Sequence, residues 1–146
     1  MAYEESIRSI SLVADSSIAS FTGVSGIGAG GGYSNASTAG KIYRFVKVTG
    51  AKQAGLCTAA TDNSIGVLQS KPQQTGAAAT VAIRGVSFVV SGAVDTATNI
   101  AAGDKVTADS EGRAIKIPGS GSPVTFGIAL AASTTAGELI PVLIKG

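Results

Sequence analysis

The chain has 146 residues and a formal net charge of +2, with 14% charged residues against roughly 25% in an ordinary soluble domain. One domain is expected at that length. No run of Lys or Arg supplies an electrostatic footprint for nucleic acid, no stretch reaches the ~18 apolar residues of a membrane-spanning helix, and histidine, the commonest general base and metal ligand, is absent.

Residues 1–21 alternate between two patterns. Ile7, Ile10, Ala14, Ile18 and Phe21 approach helical spacing, but six serines interrupt them and compete for backbone hydrogen bonds. Ile10, Leu12 and Ala14 also fit a strand, so an extended arm with one short strand is expected. The N-terminus is acidic and lacks the apolar core of a secretory signal, so synthesis in a cytoplasm is expected. Residues 22–40 contain seven glycines in 19 positions, and no charge falls between Asp15 and Lys41. Ordering such chain costs about 1–2 kcal/mol per residue, and a partner surface is the simplest source of compensation. The apolar residues Ile7, Ile10, Leu12, Ile18, Phe21, Val24, Ile27 and Tyr33 are therefore the candidate partner-contact residues. The alternative is that they cover the open end of the chain's own domain.

From Lys41 the pattern becomes β. Lys41 to Thr49 reads as a strand with Tyr43 and Phe45 on one face and Ile42, Val46 and Val48 on the other. A turn at Thr61–Ser64, a short strand from Ile65 to Gln69 and a proline-containing loop at Lys71–Gly76 follow. Ala79 to Val90 is the longest strand signal. Val81 and Ile83 share one face, whereas Val86, Phe88 and Val90 continue with shifted parity, which places a bulge or corner at Arg84-Gly85. After an irregular stretch from Ala93 to Ala102 come short strands at Lys105–Thr107, Arg113–Ile117, Val124–Leu130 and Glu138–Lys145. Pro141 lacks a donor, which predicts that this last strand lies at an edge or pairs on one side only.

One segment occurs twice. Ile65 to Gly85 and Phe126 to Gly146 are both 21 residues long and sit 61 positions apart, matching Gly66 with Gly127, Gly76 with Gly137, Val81 with Val142, Ile83 with Ile144 and Arg84 with Lys145. Upstream, Lys47-Val48-Thr49 resembles Lys105-Val106-Thr107 at a spacing of 58. The expected fold is all-β: a small barrel or sandwich of two related halves over residues 41–146, preceded by an extended Gly/Ser-rich arm over residues 1–40.

No catalytic or metal-binding set emerges. Without histidine a Ser-His-Asp or Cys-His arrangement is impossible. Asp109 and Glu111 share a turn without forming a calcium-loop pattern, and the single cysteine, Cys57, reads as a small apolar core residue. Gly26-Ile27-Gly28-Ala29-Gly30-Gly31 matches GxGxxG, but no strong strand precedes it and no acid follows at the proper distance. No cofactor is expected.

Four motifs in order carry a resemblance. These are Tyr43-Arg44-Phe45-Val46-Lys47-Val48, Gly66-Val67-Leu68-Gln69-Ser70-Lys71-Pro72, Ile100-Ala101-Ala102-Gly103-Asp104-Lys105-Val106, and Gly127-Ile128-Ala129-Leu130 with Ala136-Gly137-Glu138-Leu139-Ile140. Over residues 41–146 the chain resembles the capsid cement, or head decoration, proteins of tailed bacteriophages. The resemblance implies a non-enzymatic virion protein on the capsid exterior, bound to the major capsid protein, bridging its neighbouring subunits and forming homotrimers. It implies no nucleic-acid or membrane partner. Two other readings remain open at this stage: a tail or head–tail component, and a β-barrel module for a small ligand or glycan.

Overall fold

The computed structural model describes residues 8–19, 41–93 and 96–145, and these contain nine strands and no helix. The strands are β1 (Arg8–Ala14), β2 (Phe45–Gly50), β3 (Gln53–Leu56), β4 (Ser64–Leu68), β5 (Ala78–Val90), β6 (Lys105–Ala108), β7 (Ala114–Lys116), β8 (Gly127–Ala129) and β9 (Leu139–Ile144). Their order across the sheet is β1-β3-β2-β4-β5-β9-β8-β6-β7, and β1 also pairs with β5. That extra pairing closes β1 to β5 into a five-stranded barrel, which leaves this part of the sheet without an open edge. β1 runs parallel to β3 at Val13 and Ala14 and antiparallel to β5 over Arg8–Val13. Residues 8–19 of the expected arm are thus built into the barrel wall and its end, including the short strand that the serine-interrupted pattern allowed.

The strand order reads the same from both ends once β1 is set aside: β3-β2-β4-β5 mirrors β7-β6-β8-β9. The duplicated sequence is therefore a duplicated fold, and the hydrogen bonds repeat with it. Gln69 N–H donates to Thr80 O at 2.8 Å as Leu130 N–H donates to Pro141 O at 2.9 Å. Gly76 N–H donates to Ala14 O and Gly137 N–H to Ser91 O, both at 2.8 Å. The second pair shows that Ser91, at the end of β5, stands where Ala14 stands at the end of β1. β5 has two roles: its first half closes the first barrel, and its second half is the opening strand of the second. That second unit closes through the bridge between Ser91 and Ala114.

The register of the upstream repeat differs from the sequence alignment. Val46 pairs with Gly66 and Val106 with Gly127, so the equivalent of Val46 is Val106, at a spacing of 60 rather than 58. The local Lys-Val-Thr match is out of step by two residues with a pairing that keeps a constant spacing of 60 from Val46/Val106 to Leu56/Lys116, and cross-strand pairing, unlike string similarity, fixes which residue faces the core. The turns follow the corrected register: Lys52 and Gly112 have φ of 55° and 71°, and Tyr43 and Gly103 have 60° and 90°. Tyr43 has a positive φ, and β2 begins only after it, at Phe45, later than the strand expected from Lys41.

β5 changes parity where expected. Ala79 and Val81 face the first core, whereas Ala82 and Val89 face the second, with Gly85 at φ 102° between them. The first core contains Ala14, Ile18, Val46, Leu56, Leu68 and Val81, with Leu12, Ile65 and Ile83 against it. The second holds the equivalents Val106, Ala129, Ile140, Val142 and Ile144, and takes in Phe45, Cys57 and Val67 from the first half. Leu68 and Ala79 of one core become Ala129 and Ile140 in the other. Large and small trade places, a volume-conserving exchange that cores tolerate and that blurs the repeat in sequence. Phe45 and Phe126 meet edge to face at 5.1 Å and join the halves.

The position of β9 corrects the edge-strand expectation. It lies between β5 and β8, in the middle of the sheet. Proline is accommodated because the N–H and C=O of one residue in a strand point to the same side. The Pro141 carbonyl accepts from Leu130, just past the end of β8, so the missing donor falls where that ladder stops.

Candidate functional site

The polar residues that could do chemistry are engaged in fixing turns. Both Asp62 oxygens lie 2.9 Å from Lys47 Nζ, and one accepts from the amides of Thr58 and Ala59 at 2.8 and 3.1 Å. Burial opposes ionisation of Asp62, but these donors outweigh it and hold the carboxyl below its usual range. Asp109 accepts from Arg113 Nε at 2.7 Å and from the amides of Glu111 and Arg113. Glu111 faces Lys41 at 2.9 Å and Arg44 at 3.4 Å, and the hydrogen bond from Lys41 keeps it ionised to lower pH. Asp104 caps the Ala101 amide at 2.9 Å and lies 3.3 Å from Lys116. The turn acids Asp109 and Glu111 are thus held by this chain's own cations.

Buried Ser133 Oγ lies 2.8 Å from the equally buried Ser91 Oγ and 2.7 Å from Oε2 of exposed Glu138, an array that ties the β8–β9 connection to the end of β5. Cys57 is buried among apolar residues, which pushes its thiol up to about 12. Among the described residues no group of three or more His, Cys, Asp or Glu could hold a metal ion.

The eight candidate contact residues divide three ways. Ile7, Phe21, Val24, Ile27 and Tyr33 lie outside the described residues. Ile18 is fully buried and Leu12 packs against the first core, so both side chains are taken up by the chain's own barrel. Ile10 is exposed on β1. The structure does not gather the described three into one exposed patch.

It presents a different one. On β5, Val86, Phe88 and Val90 point away from the second core. Each has a cross-strand partner on β9: Leu143, Pro141 and Leu139 respectively. Ile128 of β8 lies opposite Leu143, and Leu130 follows beside Pro141. The outer face of three adjacent strands is therefore apolar at eight consecutive cross-strand positions. Phe88 is 53% exposed, Leu139 50% and Leu130 47%. Val86, Phe88, Leu130 and Pro141 surround a shallow hollow with no side-chain donor or acceptor. At one end of this face, Arg8, Arg84 and Lys145 border a cleft that includes Leu143. Lys105 flanks it on β6, opposite Ile128.

The signal for this face was present in the sequence. β9 reads Leu-Ile-Pro-Val-Leu-Ile, apolar at both parities, and β5 ends in Phe-Val-Val. A strand apolar on both sides requires cover on both sides. The core covers one; among the described residues the other is open.

Residues 9–144 match the model of a protein family described as phage cement protein. The match is nearly the whole chain and takes in β1, which the four motifs did not reach. No curated protein matches the chain.

Proposed function

The chain belongs to the phage cement protein family, and on that premise we propose that it binds the outer surface of the capsid and holds neighbouring major capsid protein subunits together. It is a structural protein of the phage capsid. The reading of how it acts rests on one observation above the others: a duplicated β fold whose three-strand apolar face is open to solvent among the described residues. Contiguous exposed apolar surface of that kind marks a contact with other protein.

A cement needs no reactive group. Binding the assembled shell in preference to separated subunits stabilises the shell by mass action, and many symmetric copies multiply a modest contact. A trimer at threefold positions fits this role, as does the glycine-rich segment 22–40, whose Val24, Ile27 and Tyr33, with the preceding Phe21, are proposed to add adaptable contacts. The small-ligand reading is less well supported, since the hollow on the apolar face offers nothing polar to orient a ligand.

The test uses expanded shells prepared without this protein. Adding it back is expected to saturate at a fixed number of copies per shell and to raise the temperature at which shells rupture. Saturable binding without any gain in shell stability would leave a capsid ligand that is not a cement. Replacing Phe21, Val24, Ile27 and Tyr33 together by serine is expected to weaken binding while the melting temperature of the free protein stays unchanged.

A further inference from the structure

We propose that the outer face of β5, β9 and β8 is the surface that docks on the shell, and that it takes a protein surface apolar at its centre and bordered by carboxylates. This rests on the reading of the chain as a cement and adds the face and the chemistry of its partner.

Three observations carry it. The first is composition: the eight outward positions are all apolar, and their three most exposed members, Phe88 on β5, Leu139 on β9 and Leu130 just past β8, converge on one patch. The second is backbone pairing. β9 is hydrogen-bonded on both sides, so nothing can add to it as a further strand, and contact must be made through side chains. The third is charge. Arg8, Arg84, Lys105 and Lys145 lie at the rim and make no ion pair among the described residues, whereas Asp62, Asp104, Asp109 and Glu111 are each paired within the chain. A second copy therefore has most of its described carboxylates already engaged. The unmatched cations call for acids from a different protein, and the apolar centre for a dry contact between them.

Expanded shells lacking the protein are the probe. Phe88→Asp and Leu139→Asp are expected to lower affinity about thirtyfold or more, the size of a central contact residue. Both side chains are half exposed, so the melting temperature of the free variants reports whether folding is intact. Val48→Asp, at an equally exposed position on β2, is the control and is expected to bind as the wild type does. Wild-type binding is expected to weaken as NaCl rises, and Arg84→Glu to bind weakly with a flatter salt dependence.

Wild-type binding with Phe88→Asp and Leu139→Asp bound as tightly overturns the face and leaves the cement reading standing. A wild-type protein that ignores the shells overturns both. An oligomer in solution that Phe88→Asp converts to a monomer assigns the face to contacts between copies, and the proposal fails.

Discussion

Phe45 is the residue on which the two halves most depend. It opens β2 of one half, is fully buried, and packs edge to face on Phe126 of the other. Phe45→Ala removes the ring from a joint that cannot collapse without moving two barrels, so a loss of about 3–5 kcal/mol is expected in denaturant titration. Cys57 lies in the same core, and its raised pKa means that almost no thiolate exists at neutral pH. A thiol reagent at pH 8 is expected to leave it unmodified until denaturant is added; rapid labelling of the folded protein would show that this core opens. The paired carboxylates set the acid limit. Asp62, Asp104 and Glu111 all have folded pKa values below their ordinary ones. Their contribution is complete above the unfolded value near ~4 and disappears as pH falls through the lower folded values. Thermal stability is expected to be flat from about pH 5 to 8 and to fall below about pH 4. Glu111 is half exposed, so its share is small.

The elements owe their arrangement to two kinds of closure. Gly66 lets β4 and β5 approach so closely that a Cβ there would collide with the Ala82 carbonyl oxygen. Its equivalent Gly127 would place a Cβ 2.6 Å from the Leu143 carbonyl oxygen, and Leu143 is the equivalent of Ala82. The duplication has kept this close approach along with the glycine. Gly66→Ala and Gly127→Ala are each expected to destabilise by about 1–3 kcal/mol in urea unfolding, since backbone must shift to make room. β1 supplies the other closure. Without it, β5 loses its partner over Arg8–Val13 and the first core loses Ala14 and the cover of Leu12. Removing residues 1–14 is therefore expected to abolish cooperative unfolding and leave a dye-binding state; a truncated protein with an unchanged melting curve would mean that β1 is dispensable.

At the scale of the molecule, the halves share β5 and one core that draws residues from both. A single calorimetric transition is expected, with van't Hoff and calorimetric enthalpies in agreement. Two resolved transitions would mean that the barrels unfold separately. A stiff body of this kind suits a cement, because a contact made at one face is transmitted without internal give. The apolar face, open among the described residues, is in keeping with the low charge of the chain.

The all-β class, the duplication, the corner at Arg84-Gly85 where β5 passes from one sheet to the other and the core role of Cys57 follow from local periodicity, from glycines tied to backbone geometry and from the lack of competing chemistry. The spacing of the upstream repeat, the central place of β9 and the enclosure of Ile18 do not, because each depends on which strands lie side by side, and pairing partners are distant in sequence. The outer apolar face of β5, β9 and β8 shows the division most plainly. The apolar residues of β5 and β9 are visible in the chain at both parities, but only the packed structure decides which parity the core takes and which is left facing outward.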